Sequence, residues 1–125
     1  ASPWRGVRDA REPGGGCLQD ERNGSLPTRA GVSEDCLYLN VFSRDLRPRA
    51  RQPVMVWIHG GFFRVGSGAD PAFDGAALTR EGVVLVTINY RLDRFGRFAH
   101  PALSAAQPGE PLGNYALMDQ VAALR

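Results

Sequence analysis

The five residues His59-Gly60-Gly61-Phe62-Phe63 close an apolar run that begins at Pro53, and they raise the first chemical question. Consecutive glycines let main-chain N–H groups turn toward a ligand with no side chain in between. Two such donors side by side can hold the negative charge that develops on a carbonyl oxygen during acyl transfer. The donors expected here are Gly61 and Phe62, with Gly60 shaping the turn. Taken alone, Gly-Gly after a strand is also the pattern of a plain turn. A covalent mechanism would need a nucleophile as well. Serines stand at 2, 25, 33, 43, 67 and 104, and none has glycine at both i−2 and i+2, so these residues hold no Gly-x-Ser-x-Gly elbow.

The elements that must position the loop follow from hydrophobic pattern. "PVMVWIH" (Pro53 to His59) and "VVLVTINY" (Val83 to Tyr90) are apolar on both faces, which suits parallel strands covered on both sides. Between them Asp74 can cap a short helix running through Leu78, which Gly82 ends. Strand, helix, strand in that order favours an α/β architecture, and ligands of open α/β sheets bind outside the carboxyl ends of the strands. "CLYLNVF" (Cys36 to Phe42) alternates as a half-buried strand. Residues 92 to 111, with Pro101, Pro108 and Pro111, read as a long irregular connection. Asn114 offers an N-cap for a helix from Tyr115, whose apolar face carries Leu117, Val121 and Leu124. Residues 1 to 36 are rich in Gly, Pro and charge and read as loop and short strand. Cys17 and Cys36 within them either pair, worth about 3 kcal/mol on the chain-entropy model, or stay free thiols.

Bulk properties bound the alternatives. The chain has 125 residues, 43% apolar and 22% charged, an ordinary globular balance for one domain at most. Net charge is +2 and all 15 basic residues are arginine, scattered from Arg5 to Arg125 with no basic stripe, so nucleic acid is not an expected partner. Arginine without lysine points to GC-rich coding, which makes the Asn23-Gly24-Ser25 sequon incidental. No apolar run reaches the ~18 residues of a membrane span. The chain opens without methionine and stops within a helical pattern, so residues 1–125 are expected to be a domain truncated at both ends.

Five blocks carry a specific resemblance: "SEDCLYLNVFSR", "PVMVWIHGG", "GVVLVTINYRL", "FGRFAHPAL" and "GNYALMDQVAALR". In order and spacing they resemble the carboxylesterase type B family, the cholinesterase-like branch of the α/β hydrolases, over nearly the whole chain. The resemblance implies the N-terminal part of an α/β-hydrolase fold, with a mixed, mostly parallel sheet flanked by helices. It implies a serine esterase that forms an acyl-enzyme, acts on a small-molecule carboxylic ester and needs no cofactor or metal. It makes the Gly-Gly loop the oxyanion loop, with Gly61 and Phe62 as donors, and it pairs Cys17 with Cys36, which suits a secreted or extracytoplasmic setting. Arg91 and Asp119 match an ion pair that ties a strand end to a helix. Glu34 matches an acid whose arginine partner would lie upstream of Ala1.

In this family the catalytic serine, acid and histidine all follow the oxyanion loop, so His59 reads as a loop-positioning residue and His100, before Pro101, as structural. The elbow would fall beyond Arg125, and residues 1–125 alone are expected to be inactive. Three departures stand out. Phe62 replaces the usual Gly or Ala, which puts a ring in or beside the acyl pocket. Asp93 replaces a glycine, and Arg97 a large apolar residue. The loop between the two cysteines has no aromatic residue to meet a choline cation, so a general ester hydrolase is favoured over a cholinesterase. The alternative is a relative that has lost catalysis and serves in adhesion or binding.

Overall fold

The computed structural model of the chain describes residues 5–20, 30–47, 51–110 and 112–125, and Asn23 of the sequon lies outside them. In chain order the strands and helices are β1 (Gly16–Cys17), β2 (Val32–Ser33), β3 (Leu39–Phe42), β4 (Val54–Ile58), α1 (Ala76–Arg80), β5 (Val84–Ile88), α2 (Asp93–Arg97), α3 (Pro101–Ala106) and α4 (Tyr115–Ala123).

The β-branched runs build the centre. β4 and β5 pair in parallel, in register from Val54 with Val84 to Ile58 with Ile88, and the connection between them holds α1. β3 adds to the other side of β5 in the antiparallel sense, so the sheet is mixed and ordered β3-β5-β4. β5 is therefore flanked on both sides, and Leu85, Thr87 and Ile88 are buried. The expectation that both runs are covered on both faces holds for β5 and not for β4. Val54, Met55, Trp57 and Ile58 keep between 41% and 62% of their surface, and β4 is an edge strand among the described residues. Trp57 is shielded partly by Phe73, 5.1 Å away between ring centroids.

Local chemistry explains the helix ends. Asp74 Oδ1 accepts the Ala76 N–H at 3.0 Å, and Gly82 ends α1 at φ +81. The stretch 92 to 111 is not irregular throughout: it contains α2 and α3. The missed signal was Pro101, which fits the first turn of a helix, preceded by His100, whose Nδ1 accepts the Ala102 N–H at 3.1 Å. Asn114 stands at the N-cap of α4 but its side chain makes no capping bond. The packed face of α4 also differs from the expected one. Leu117, Val121 and Leu124 are exposed, while Ala116 and Asp119 are buried. α4 docks through its small residue because Gly96 of α2 lets it approach. A Cβ at Gly96 would collide with the Arg91 carbonyl and stand 3.0 Å from Ala116 Cβ.

The innermost cluster is Cys17, Cys36, Tyr90, Leu92 and Ala116, with Phe63 packed against it. Cys17 and Cys36 form a disulfide with their Cα atoms 4.8 Å apart, joining β1 to the segment after β2. No helix among the described residues is long and apolar enough to cross a membrane.

Candidate active site

β4 ends at Ile58 and the chain turns sharply. Gly61 has φ +109, Phe62 φ +56 and Phe63 φ +59, three successive residues in the left-handed region. A side chain at Gly61 is excluded sterically, since its Cβ would run into the Val65 carbonyl oxygen. Phe62 and Phe63 are strained there by about 1–2 kcal/mol each, so neighbouring contacts must hold them. The Gly61 carbonyl accepts from the N–H groups of Arg64 (2.9 Å) and Val65 (3.2 Å). The Phe63 carbonyl accepts the Asp93 N–H at 2.6 Å. The Phe63 ring meets Tyr90 edge-on at 5.6 Å, and the Arg97 guanidinium lies 5.3 Å from its centroid. Arg97 thus covers an aromatic face, and Asp93 is itself left-handed at φ +48 where its N–H reaches Phe63.

The N–H groups of Gly61 and Phe62 donate to no acceptor among the described residues. Successive main-chain N–H groups in a left-handed turn form a concavity suited to an anion. Phe62 is 91% exposed, so packing of its ring is not what positions its N–H. Gly60, expected to shape the turn, has no left-handed φ, and a Cβ there would meet nothing within 4 Å. The steric demand falls instead on Gly61 and on Gly66, whose φ is +123 and whose Cβ would strike the His59 ring.

His59 is 3% exposed. Its ring stacks on Tyr90 with centroids 4.3 Å apart, and its Nδ1 lies 2.8 Å from the Gly60 carbonyl oxygen, which makes Nδ1 the protonated nitrogen. Tyr90 Oη donates to the His59 carbonyl at 2.5 Å. Burial pushes the His59 pKa below its ordinary value, and the Gly60 carbonyl and Asp70 oppose this only in part. His59 is thus a buried prop under the loop.

Beneath the return limb, residues 66 to 68, lies a polar network. Gln19 Oε1 accepts the Gly66 N–H at 2.8 Å while its Nε2 donates to the carbonyls of Gly66 (2.9 Å) and Cys17 (3.1 Å). Asn89 Oδ1 accepts from the Gly68 N–H (2.8 Å) and from Ser67 Oγ (3.2 Å), and its Nδ2 donates to the carbonyls of Cys36 (3.0 Å) and Gly15 (3.1 Å). Thr87 Oγ1 donates to the Gly68 carbonyl at 2.6 Å and accepts from Asn40 Nδ2 at 3.0 Å. The sequence reading missed this set. Its one signal was the presence of Thr87 and Asn89 inside an apolar strand, since buried polar groups are almost always hydrogen-bonded.

Arg91 grips Asp119 with a bidentate pair, Nε to Oδ2 at 2.8 Å and Nη2 to Oδ1 at 2.7 Å, and its own N–H donates to Oδ2 at 3.0 Å. This ties the end of β5 to α4, and the guanidinium also lies 5.1 Å from the Tyr115 ring centroid. The predicted site residues thus form one cluster at the carboxyl ends of β4 and β5, except Glu34, which is exposed, and His100, which caps α3. Ser67 is fully buried and hydrogen-bonded, so it offers no exposed nucleophile. No group of three metal-ligating side chains occurs among the described residues.

A parallel βαβ unit with a glycine loop at the carboxyl end of its first strand defines an α/β protein, the class in which ligands bind outside the carboxyl ends of the strands. Residues 1–125 match the family described as Carboxylesterase family, and the chain belongs to it. It is 48% identical over 122 residues to fumonisin B1 esterase of Sphingopyxis macrogoltabida, and 45% identical over 125 residues to para-nitrobenzyl esterase of Bacillus subtilis. Each alignment covers 98% of this chain but only 23% and 24% of the relative, so the chain spans about a quarter of their length. Among solved structures, a carboxylesterase of Geobacillus stearothermophilus matches with a TM-score of 0.82 and 41% identity, over 98% of this chain and 24% of that one. The fold is thus an incomplete α/β-hydrolase fold.

Proposed function

We propose that the protein to which these residues belong hydrolyses carboxylic esters through a serine acyl-enzyme, and that Gly61 and Phe62 form its oxyanion hole. The observation that carries this reading is the left-handed turn Gly61-Phe62 at the carboxyl end of β4, with both N–H groups free of acceptors among the described residues. When a nucleophile adds to the ester carbonyl, its oxygen becomes an alkoxide, and two fixed N–H donors stabilise that charge without reorganising. The donors are main-chain groups, so Phe62 serves as well as a smaller residue would. The nucleophile and its acid-base partners are assigned to residues outside positions 1–125, since Ser67, the serine nearest the loop in sequence, is buried and bonded. Esterase activity is also what the names of the relatives report of those proteins.

The test uses the intact protein with p-nitrophenyl acetate and a fluorophosphonate that reacts only with an activated serine. Turnover, with the phosphonate on one serine outside positions 1–125, is expected. A protein that folds but shows neither turnover nor labelling would contradict the proposal and favour a binding role. Residues 1–125 by themselves are expected to show no turnover above buffer.

A further inference from the structure

The loop that presents Gly61 and Phe62 is anchored at Gly66, and the residue that holds Gly66 comes from a distant part of the chain. We propose that Gln19 is a positioning residue for the oxyanion turn: its side-chain amide clamps both main-chain groups of Gly66 and thereby fixes Val65 against Gly61. This extends the esterase reading above and rests on it for its catalytic meaning.

The geometry is specific. Gln19 Oε1 accepts the Gly66 N–H at 2.8 Å, and Nε2 donates to the Gly66 carbonyl at 2.9 Å, across a sequence separation of 47. One amide thus pairs with the N–H and the C=O of a single residue, as a neighbouring strand would. Its orientation is settled by its partners, because Nε2 also faces the Cys17 carbonyl at 3.1 Å and a flipped amide would bring donor against donor at Gly66. The clamp is itself fixed, since Cys17 is buried and disulfide-bonded to Cys36.

Three contacts carry this restraint from Gly66 to the donors. Val65, bonded to Gly66, donates its N–H to the Gly61 carbonyl at 3.2 Å. The Val65 carbonyl packs so closely on Gly61 that a Cβ could not fit between them. Gly66 also leans on the His59 ring and the Gly60 carbonyl, where again a Cβ would not fit. A shift of Gly66 therefore moves both flanks of the Gly61-Phe62 turn. Phe62, 91% exposed, has little side-chain packing of its own to resist that shift.

The test compares Gln19→Leu and Gln19→Glu with the parent in the intact protein. Rates with p-nitrophenyl acetate are expressed per active site titrated with an organophosphate, so loss of folded protein does not count. A sub-ångström displacement of catalytic groups predicts a kcat per site lower by about 10- to 100-fold in Gln19→Leu, with KM near the parent value. Affinity for a trifluoromethyl ketone, whose adduct carries the oxyanion, falls by the same factor. Gln19→Glu keeps the acceptor for the Gly66 N–H but sets a carboxylate oxygen against the Gly66 and Cys17 carbonyls, so it is expected to lower kcat per site as well; it decides the matter if Gln19→Leu does not fold. Hydrogen exchange of peptides spanning 59–68 is expected to quicken in both variants. Parent values of kcat per site, ketone affinity and exchange, even with a lowered Tm, would overturn the proposal. A parent protein without turnover would sink the esterase reading alone, while faster exchange in the variants would still support the clamp.

Discussion

Gly61 and His59 shape the turn after β4 at the level of single residues, one by lacking a side chain and the other by its buried ring stacked on Tyr90. Because a Cβ at Gly61 would enter the Val65 carbonyl and φ is +109 there, Gly61→Ala must displace the turn. A loss of kcat of about 100-fold or more is expected, comparable to removing one oxyanion donor. Phe62→Ala, which keeps the N–H, should leave kcat within the same order of magnitude; both are measured by steady-state kinetics on the intact protein. His59 predicts a pH effect of definite sign. Its folded-state pKa is depressed by burial, so the unfolded chain takes up a proton first as pH falls. The stability it contributes is therefore present above about pH 6.5 and is lost below it, at up to about 1.4 kcal/mol per pH unit. His59→Phe keeps the stack on Tyr90 and should flatten the fall in Tm between neutral and mildly acidic pH, as read by calorimetry. An unchanged slope would mean that other groups govern it. The disulfide cysteines and the left-handed site at Asp93 were legible as residue types. The sequence shows that glycines are present but not which of them takes the left-handed backbone, here Gly61 and Gly66.

Elements were legible where periodicity and burial agreed. β4 and β5 stood out as apolar runs, and the order strand, helix, strand correctly implied their parallel pairing. α2 and α3 were hidden because each is short, five and six residues, and one begins at a proline that also marks loops. The docking face of α4 was misread because its close contact uses Gly96 and Ala116, which carry almost no hydrophobic signal, while Leu117, Val121 and Leu124 stay exposed. The clasp between β5 and α4 gives a prediction at this scale. Asp119 is 6% exposed and the Arg91 side chain 37%, so the pair is half-buried. Asp119→Asn is expected to cost about 2 kcal/mol, less than the loss of a fully buried partner; chemical denaturation of the intact protein measures it. Gly96→Ala should destabilise by forcing α2 from α4, whereas Leu117→Ala in residues 1–125 alone should change little.

For the molecule as a whole, the Gly61-Phe62 turn is held from three directions. Tyr90 and His59 support it from the strand ends, Asp93 and Arg97 hold Phe63 from α2, Gln19 braces the return limb from the disulfide-linked segment, and Asn89 braces it from the end of β5. This convergence was invisible in the sequence, because Gln19 and Gly66 are 47 positions apart and no local pattern links them. Opening the disulfide should loosen the same turn. Replacing Cys17 and Cys36 by alanine is expected to cost about 3 kcal/mol of stability on the chain-entropy model, and also to lower kcat per titrated site, an effect that stability loss alone would not produce. The central claim, that the N–H groups of Gly61 and Phe62 stabilise the oxyanion, is tested most directly by replacing the amide N–H of residue 62 with an ester oxygen. The corresponding α-hydroxy acid, incorporated at position 62 of the intact protein, leaves every side chain in place. A fall in kcat of about 100- to 1000-fold with KM little changed is the predicted result. Full activity with that N–H removed would contradict the account.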